Sequence, residues 1–96
     1  MNRAEQIRLN RTAIQRLAKK YGVTDIRIFG SAARGEDTAQ SDVDFLVEME
    51  PGRSLFDMGG LLMDLQSLLG CRVDIVTEKS LHWYIREQVL NEARPL

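Results

Sequence analysis

Residues 29–47 read FGSAARGEDTAQSDVDFLV, and the architecture of the whole chain turns on them. The segment starts at the end of an apolar run, turns at Gly30-Ser31, crosses a polar loop, and enters a second apolar run that carries Asp42 and Asp44. A third short run, residues 72–76, places Asp74 between Val73 and Ile75. The two runs inside and before the segment alternate like strands. Ile26 and Ile28 fall on one face of residues 24–29, with Arg27 and Phe29 on the other. In residues 43–49, Val43, Phe45 and Val47 oppose Asp44 and Leu46. Apolar residues on both faces predict a sheet covered on both sides.

On either side of this segment, the flanks read as helices. Upstream, Ile7, Ile14, Leu17, Ala18 and Tyr21 recur at helical spacing, which predicts one helix over 3–21 with Asn2 and Glu5 as its capping box. Arg3, Arg8, Arg11, Arg16, Lys19 and Lys20 occupy its other faces, as a solvated surface or as attraction for an anionic ligand or partner. Downstream, Pro51-Gly52 breaks the second strand, and Ser54 with Asp57 caps a helix whose broad apolar face is Leu55, Met58, Leu61, Leu62, Leu65, Leu68 and Leu69. Gly59-Gly60 inside it costs about 2 kcal/mol relative to alanine, so a local irregularity or a close helix–sheet approach is expected there. The last helix is predicted over 81–93, with Leu81, Tyr84, Ile85 and Val89 toward the core and Trp83 and Leu90 away from it. The polar loop 35–41 is expected to be mobile without ligand. The order of elements gives an α/β (α+β) protein, a small mixed sheet of three or more strands with helices packed on it, in one domain over 1–96.

Composition narrows the function classes. The 96 residues carry a formal charge of −1, which gives no long-range attraction for nucleic acid, so no direct nucleic-acid partner is expected. One cysteine, Cys71, excludes an internal disulfide and a cysteine metal site, and reads as apolar filling beside a strand. No apolar run reaches the ~20 residues that span a bilayer, and residues 2–5 are polar rather than a secretion signal. The expectation is a cytoplasmic protein with no membrane partner, one half of a complex. The single histidine, His82, has no second histidine near it in sequence and reads as a surface or packing residue.

The carboxylates carry the chemistry. Asp42 and Asp44, two apart on a strand, point to the same side with backbones roughly 6.5–7 Å apart. Two charges at that distance repel by on the order of 2–3 kcal/mol at an effective dielectric of 20. A divalent metal removes that repulsion, and hard oxygen ligands suit magnesium, which keeps positions for water and phosphate. If the third strand lies beside the second, Asp74 joins them, and three carboxylates can bridge two ions for in-line displacement at phosphorus. A D-x-D pair alone is a common, solvated pattern. The Gly30-Ser31 turn adds to it: glycine allows close backbone approach to a phosphate, and the amides and the Ser31 hydroxyl can donate to its oxygens. Arg34 can add a charged fork, or serve the surface. No Gly-Lys-Ser/Thr follows, so this is not a Walker-type loop.

Taken together, Gly30-Ser31-Ala32-Ala33-Arg34-Gly35, Ser41-Asp42-Val43-Asp44-Phe45 and Val73-Asp74-Ile75 resemble the nucleotidyltransferase superfamily of the polymerase β type. The resemblance runs from about residue 24 to residue 77, and the short length is similar to its minimal nucleotidyltransferase (MNT) subgroup. It implies transfer of a nucleoside monophosphate from a triphosphate to a hydroxyl. Gly30 and Ser31 would hold the β- and γ-phosphates, with Arg34 beside them. Asp42 and Asp44 would hold two Mg2+ ions, and Asp74 would complete the site and assist deprotonation of the acceptor. MNT proteins are similar to the antitoxin half of HEPN–MNT toxin–antitoxin pairs, which implies ATP as substrate and a tyrosine of a HEPN ribonuclease toxin as acceptor. Trp83 and Leu90 would belong to the partner surface of a homo- or hetero-oligomer. Two other readings remain open: an antitoxin that acts by contact alone, and a small-molecule nucleotidyltransferase whose acceptor pocket comes from a separate chain.

Overall fold

The computed structural model describes residues 2–96. In chain order the elements are α1 (Arg3–Leu9), α2 (Arg11–Lys20), β1 (Val23–Phe29), α3 (Ser31–Arg34), β2 (Val43–Met49), α4 (Leu55–Leu69), β3 (Val73–Thr77), a 3-10 turn (Glu78–Ser80), α5 (Trp83–Glu92) and β4 (Arg94–Pro95). The strands form one mixed sheet in the order β3-β2-β1-β4. β1 and β2 are antiparallel, with Ile28 opposite Phe45 and Phe29 opposite Asp44. β2 and β3 are parallel, in a register that sets Asp44 beside Asp74.

Side-chain alternation then sorts the residues as the sequence predicts. Ile28, Val43, Phe45, Val47 and Val73 turn to one face and join Ile7, Ile14, Leu61, Leu65 and Leu69 in a single apolar cluster. Phe45, Leu61 and Leu65 are wholly enclosed, each worth about 1.5–3 kcal/mol of transfer free energy as an upper bound. Cys71 packs, half-buried, against this cluster. The opposite face carries Asp44, Leu46 and Arg27. It is covered only in part: Leu46 is buried, and of α5 only Val89 is buried with it.

Four expectations give way to specific contacts. The first helix is broken at Asn10, whose side-chain amide donates to the Gln6 carbonyl (2.8 Å) and ends α1 where α2 begins. Asn2 caps α1 by accepting from the Glu5 N–H (2.9 Å), without the reciprocal half of a capping box. The loop 35–41 is tethered to α1: the Ala4 N–H donates to the Asp37 carboxylate (2.9 Å) and Arg3 Nε donates to the Ser41 carbonyl (2.7 Å). Around Gly59-Gly60, α4 runs without interruption from Leu55 to Leu69 under an intact Ser54/Asp57 capping box. The close approach there is to Tyr21, at the end of α2, rather than to the sheet. A Cβ on Gly60 would overlap the Tyr21 ring, whose hydroxyl donates to Asp64 of α4 (2.6 Å).

A fifth concerns the helix surfaces. Leu55 is 83% exposed and does not join the buried face of α4. On α5, Tyr84 and Ile85 are exposed together with Trp83, against the expectation that they face the core, whereas Leu90 is half-buried. His82 stands at the start of α5, and its Nδ1 accepts from the Tyr84 N–H (3.2 Å). Among the described residues, no helix is long and apolar enough to cross a membrane.

Candidate active site

The site is built where β1 ends and β2 begins. At the end of β1 the chain turns through Gly30, at φ 74°, ψ −152°, a region that strains any residue with a Cβ. A side chain there has no room either, because a Cβ on Gly30 would overlap the Asp44 carboxylate. The Gly30 turn and the strand aspartate are therefore in direct apposition. Ser31 opens α3, a single turn whose Ala32 and Ala33 are buried and which ends at Arg34.

The parallel register of β2 and β3 brings Asp44 and Asp74 side by side. Burial, then the negative charges of Asp74 and Asp42, pushes the Asp44 carboxyl above its usual range, while the Arg34 guanidinium draws it back. Asp44 and Asp74 are thus brought together, at an electrostatic cost. Asp42, more exposed, leans toward Arg72 (Oδ2 to Nε 4.0 Å), and among the described residues no three acidic, histidine or cysteine side chains stand in ligating geometry. The donor set still fits a hard divalent cation. It is all oxygen, two members lie in register, and their mutual repulsion is the kind that such a cation relieves.

Arg34 is already engaged. Its Nε donates to Glu36 (2.9 Å) and its Nη1 to both carboxylate oxygens of Glu92 (3.1 and 3.2 Å). Sequence reasoning missed Glu92, because its partner lies 58 residues away and no local pattern marks it. On the same sheet face, beyond Leu46, a cavity of about 450 Å3 opens between the strands and α5, with Arg27, Glu48, Lys79 and Arg86 at its walls.

Residues 11–96 match the nucleotidyltransferase domain family. The chain belongs to that family. The nucleotidyltransferase is 45% identical over 74 residues to a protein of Methanocaldococcus jannaschii named as a candidate protein adenylyltransferase, covering 77% of this chain and 80% of that one. It is 45% identical over 76 residues to the protein adenylyltransferase MntA of Thermococcus cleftensis, covering 79% of this chain and 77% of that one. Among solved structures it superposes on one described as a candidate minimal nucleotidyltransferase, with a TM-score of 0.86 and 48% identity over 97% of this chain and 95% of that one. It also superposes on a toxin–antitoxin structure with AMP-PNP, with a TM-score of 0.75 and 25% identity over 90% of this chain and 71% of that one. The four-stranded mixed sheet with its helices is the nucleotidyltransferase fold.

Proposed function

We propose that this nucleotidyltransferase transfers AMP from ATP to a tyrosine hydroxyl of a HEPN-type ribonuclease toxin and so acts as its antitoxin. The observation that carries the reading is the apposition of Gly30 and Asp44, with Asp74 in register beside Asp44. A turn that accepts phosphate and a pair of strand carboxylates then share one small volume. The names of the relatives add to it, since they are protein adenylyltransferases, and a structural neighbour is a toxin–antitoxin complex with a non-hydrolysable ATP analogue. ATP as donor implies the cytoplasm.

In this reading Gly30 and Ser31 donate to the β- and γ-phosphates, and Arg34 adds charge beside them. Asp42, Asp44 and Asp74 would hold the Mg2+ ions, which supply charge neutralisation and an acidified acceptor hydroxyl when bound. Asp74 would take the hydroxyl proton. The acceptor oxygen bonds to the α-phosphorus, the bond to the β-phosphate oxygen breaks, and pyrophosphate leaves from the Gly30-Ser31 turn. The exposed Trp83, Tyr84 and Ile85 on α5 offer the partner a largely aromatic surface.

The test is to incubate the protein with the toxin, ATP and magnesium and to weigh both chains intact. An AMP adduct on the toxin with wild type, absent with the Asp42→Asn/Asp44→Asn pair, is the expected result. Neutralisation of the toxin without any adduct would instead identify an antitoxin acting by contact. An adduct that forms only on an added small-molecule hydroxyl would make the chain a small-molecule nucleotidyltransferase.

A further inference from the structure

We infer that Glu92 is an anionic placeholder in the phosphate-binding turn, and that a triphosphate occupies the turn by displacing it. The inference rests on the reading of Gly30, Ser31 and Arg34 as the phosphate site. Glu92 lies in the last turn of α5, on a helix of which only Val89 is buried. Its carboxylate is nevertheless only 18% exposed, the least exposed acid among the ion pairs of the described residues. Both its oxygens accept from Arg34 Nη1, at 3.1 and 3.2 Å. Gln88 Nε2 donates to it as well (3.2 Å). The Gln88 bond first, then Arg34 and the Gly30 backbone N–H, hold its carboxyl below the usual glutamate range. Glu92 therefore occupies one of the donors assigned to phosphate oxygens, the Arg34 guanidinium.

An oxyanion from the protein and an oxyanion from the ligand compete for the same donors, because each N–H satisfies one acceptor well and two anions there repel. The attachment of α5 suits displacement. Besides Val89, the helix is held by the exposed ion pair of Arg86 with Glu78 (2.5 Å) and by the Glu92–Arg34 pair itself. Just beyond Glu92, Arg94 and Pro95 pair with Ile28 and Arg27 on the free edge of β1. This pairing would keep the C-terminal strand anchored while the Glu92 side chain swings out.

The experiment measures binding of AMP-PNP with magnesium to the folded full chain by calorimetry. Glu92→Gln keeps the shape and the Gln88 contact region while removing the charge. Affinity is expected to rise roughly three- to tenfold, the size of an exposed-to-half-buried ion pair that no longer competes. Glu92→Ala removes the same carboxylate and is expected to act in the same direction, so that loss of folding in one variant leaves the other to decide. Unchanged or weaker binding in the folded variants would overturn the inference and make Glu92 a support for Arg34. Ser31→Ala separates this failure from failure of the underlying reading. Weakened AMP-PNP binding in Ser31→Ala keeps the phosphate site in place whatever Glu92 does, whereas unchanged binding removes the site and the inference with it.

Discussion

The two faces of the sheet are built to opposite rules. The helix-covered face holds Ile28, Val43, Phe45, Val47 and Val73 against Leu61, Leu65 and Leu69, and no charged or polar residue is buried there. The other face carries Asp44 beside Asp74, Leu46, and a helix that buries only Val89. Strand alternation makes this asymmetry possible, because one short run of β2 delivers Phe45 to the core and Asp44 to the site, one residue apart. The result is a division of labour. One face supplies the free energy that lets the other carry crowded like charges and a lightly held helix.

The change that would disturb this division most is at Asp44. Asp44→Asn is expected to lower AMP transfer at least about a thousandfold, since a carboxylate proposed to hold the metal ions is lost. The same change is expected to stabilise the metal-free protein. The sign comes from the proton balance. Asp44 has a folded-state pKa raised above its ordinary 3.8, by burial first and then by Asp74 and Asp42. The folded state therefore binds more protons than the unfolded one across that interval, and stability falls as pH rises from about 3.8 through the folded-state value. Above it the penalty is fully present. Thermal unfolding of wild type and variant, without divalent metal, should give curves that diverge as pH rises from the acid side, with the variant higher at neutral pH. Added magnesium should close the gap by raising the wild type alone.

A second pair of substitutions tests the covers of the two faces directly. Leu65→Ala under the core face should cost about 2–5 kcal/mol, the range for a large aliphatic side chain removed from a closed core. Val89→Ala on the site face should cost about 1 kcal/mol, because two methyl groups leave a helix that contributes little other burial. Denaturant titration with unchanged slopes measures both. Equal costs would mean that α5 is as integral to the fold as α4.

Most of the core face was legible in the sequence, and the rest was not for physical reasons that differ from residue to residue. Strand runs at 24–29, 43–49 and 72–76 and the faces of Phe45 and Asp44 come from period-two alternation, whereas the pairing of β3 beside β2 that sets Asp74 next to Asp44 was only a condition there. The break at Asn10 escaped because the apolar positions Ile7 and Ile14 keep helical spacing across it; a single side-chain bond to the Gln6 carbonyl decides the break. β4 escaped because two residues, Arg94 and Pro95, carry no period at all. For α5, helical spacing identified an amphipathic segment but could not say whether its apolar side meets this chain or another, and Tyr84 and Ile85 stay exposed. Glu92 escaped because an ion pair across 58 residues depends on the finished fold.

The smallest effects lie in α4, where they measure how tightly the core face is fitted relative to the open one. Gly59 and Gly60 are adjacent in one helix, and propensity treats them alike: alanine at either should gain about 0.5–1 kcal/mol. Their surroundings do not. A Cβ on Gly59 meets open space, whereas one on Gly60 overlaps the Tyr21 ring. That ring is not free to retreat, since its hydroxyl is bonded to Asp64 on the same helix and its edge packs on the core cluster. Gly59→Ala is therefore expected to stabilise by about 0.5–1 kcal/mol. Gly60→Ala is expected to destabilise by about 1 kcal/mol net, because overpacking costs of about 1–3 kcal/mol outweigh the propensity gain. Adding Tyr21→Phe to Gly60→Ala tests the cause: freeing the ring from Asp64 should recover part of the loss, and two independent, additive costs would place the strain elsewhere.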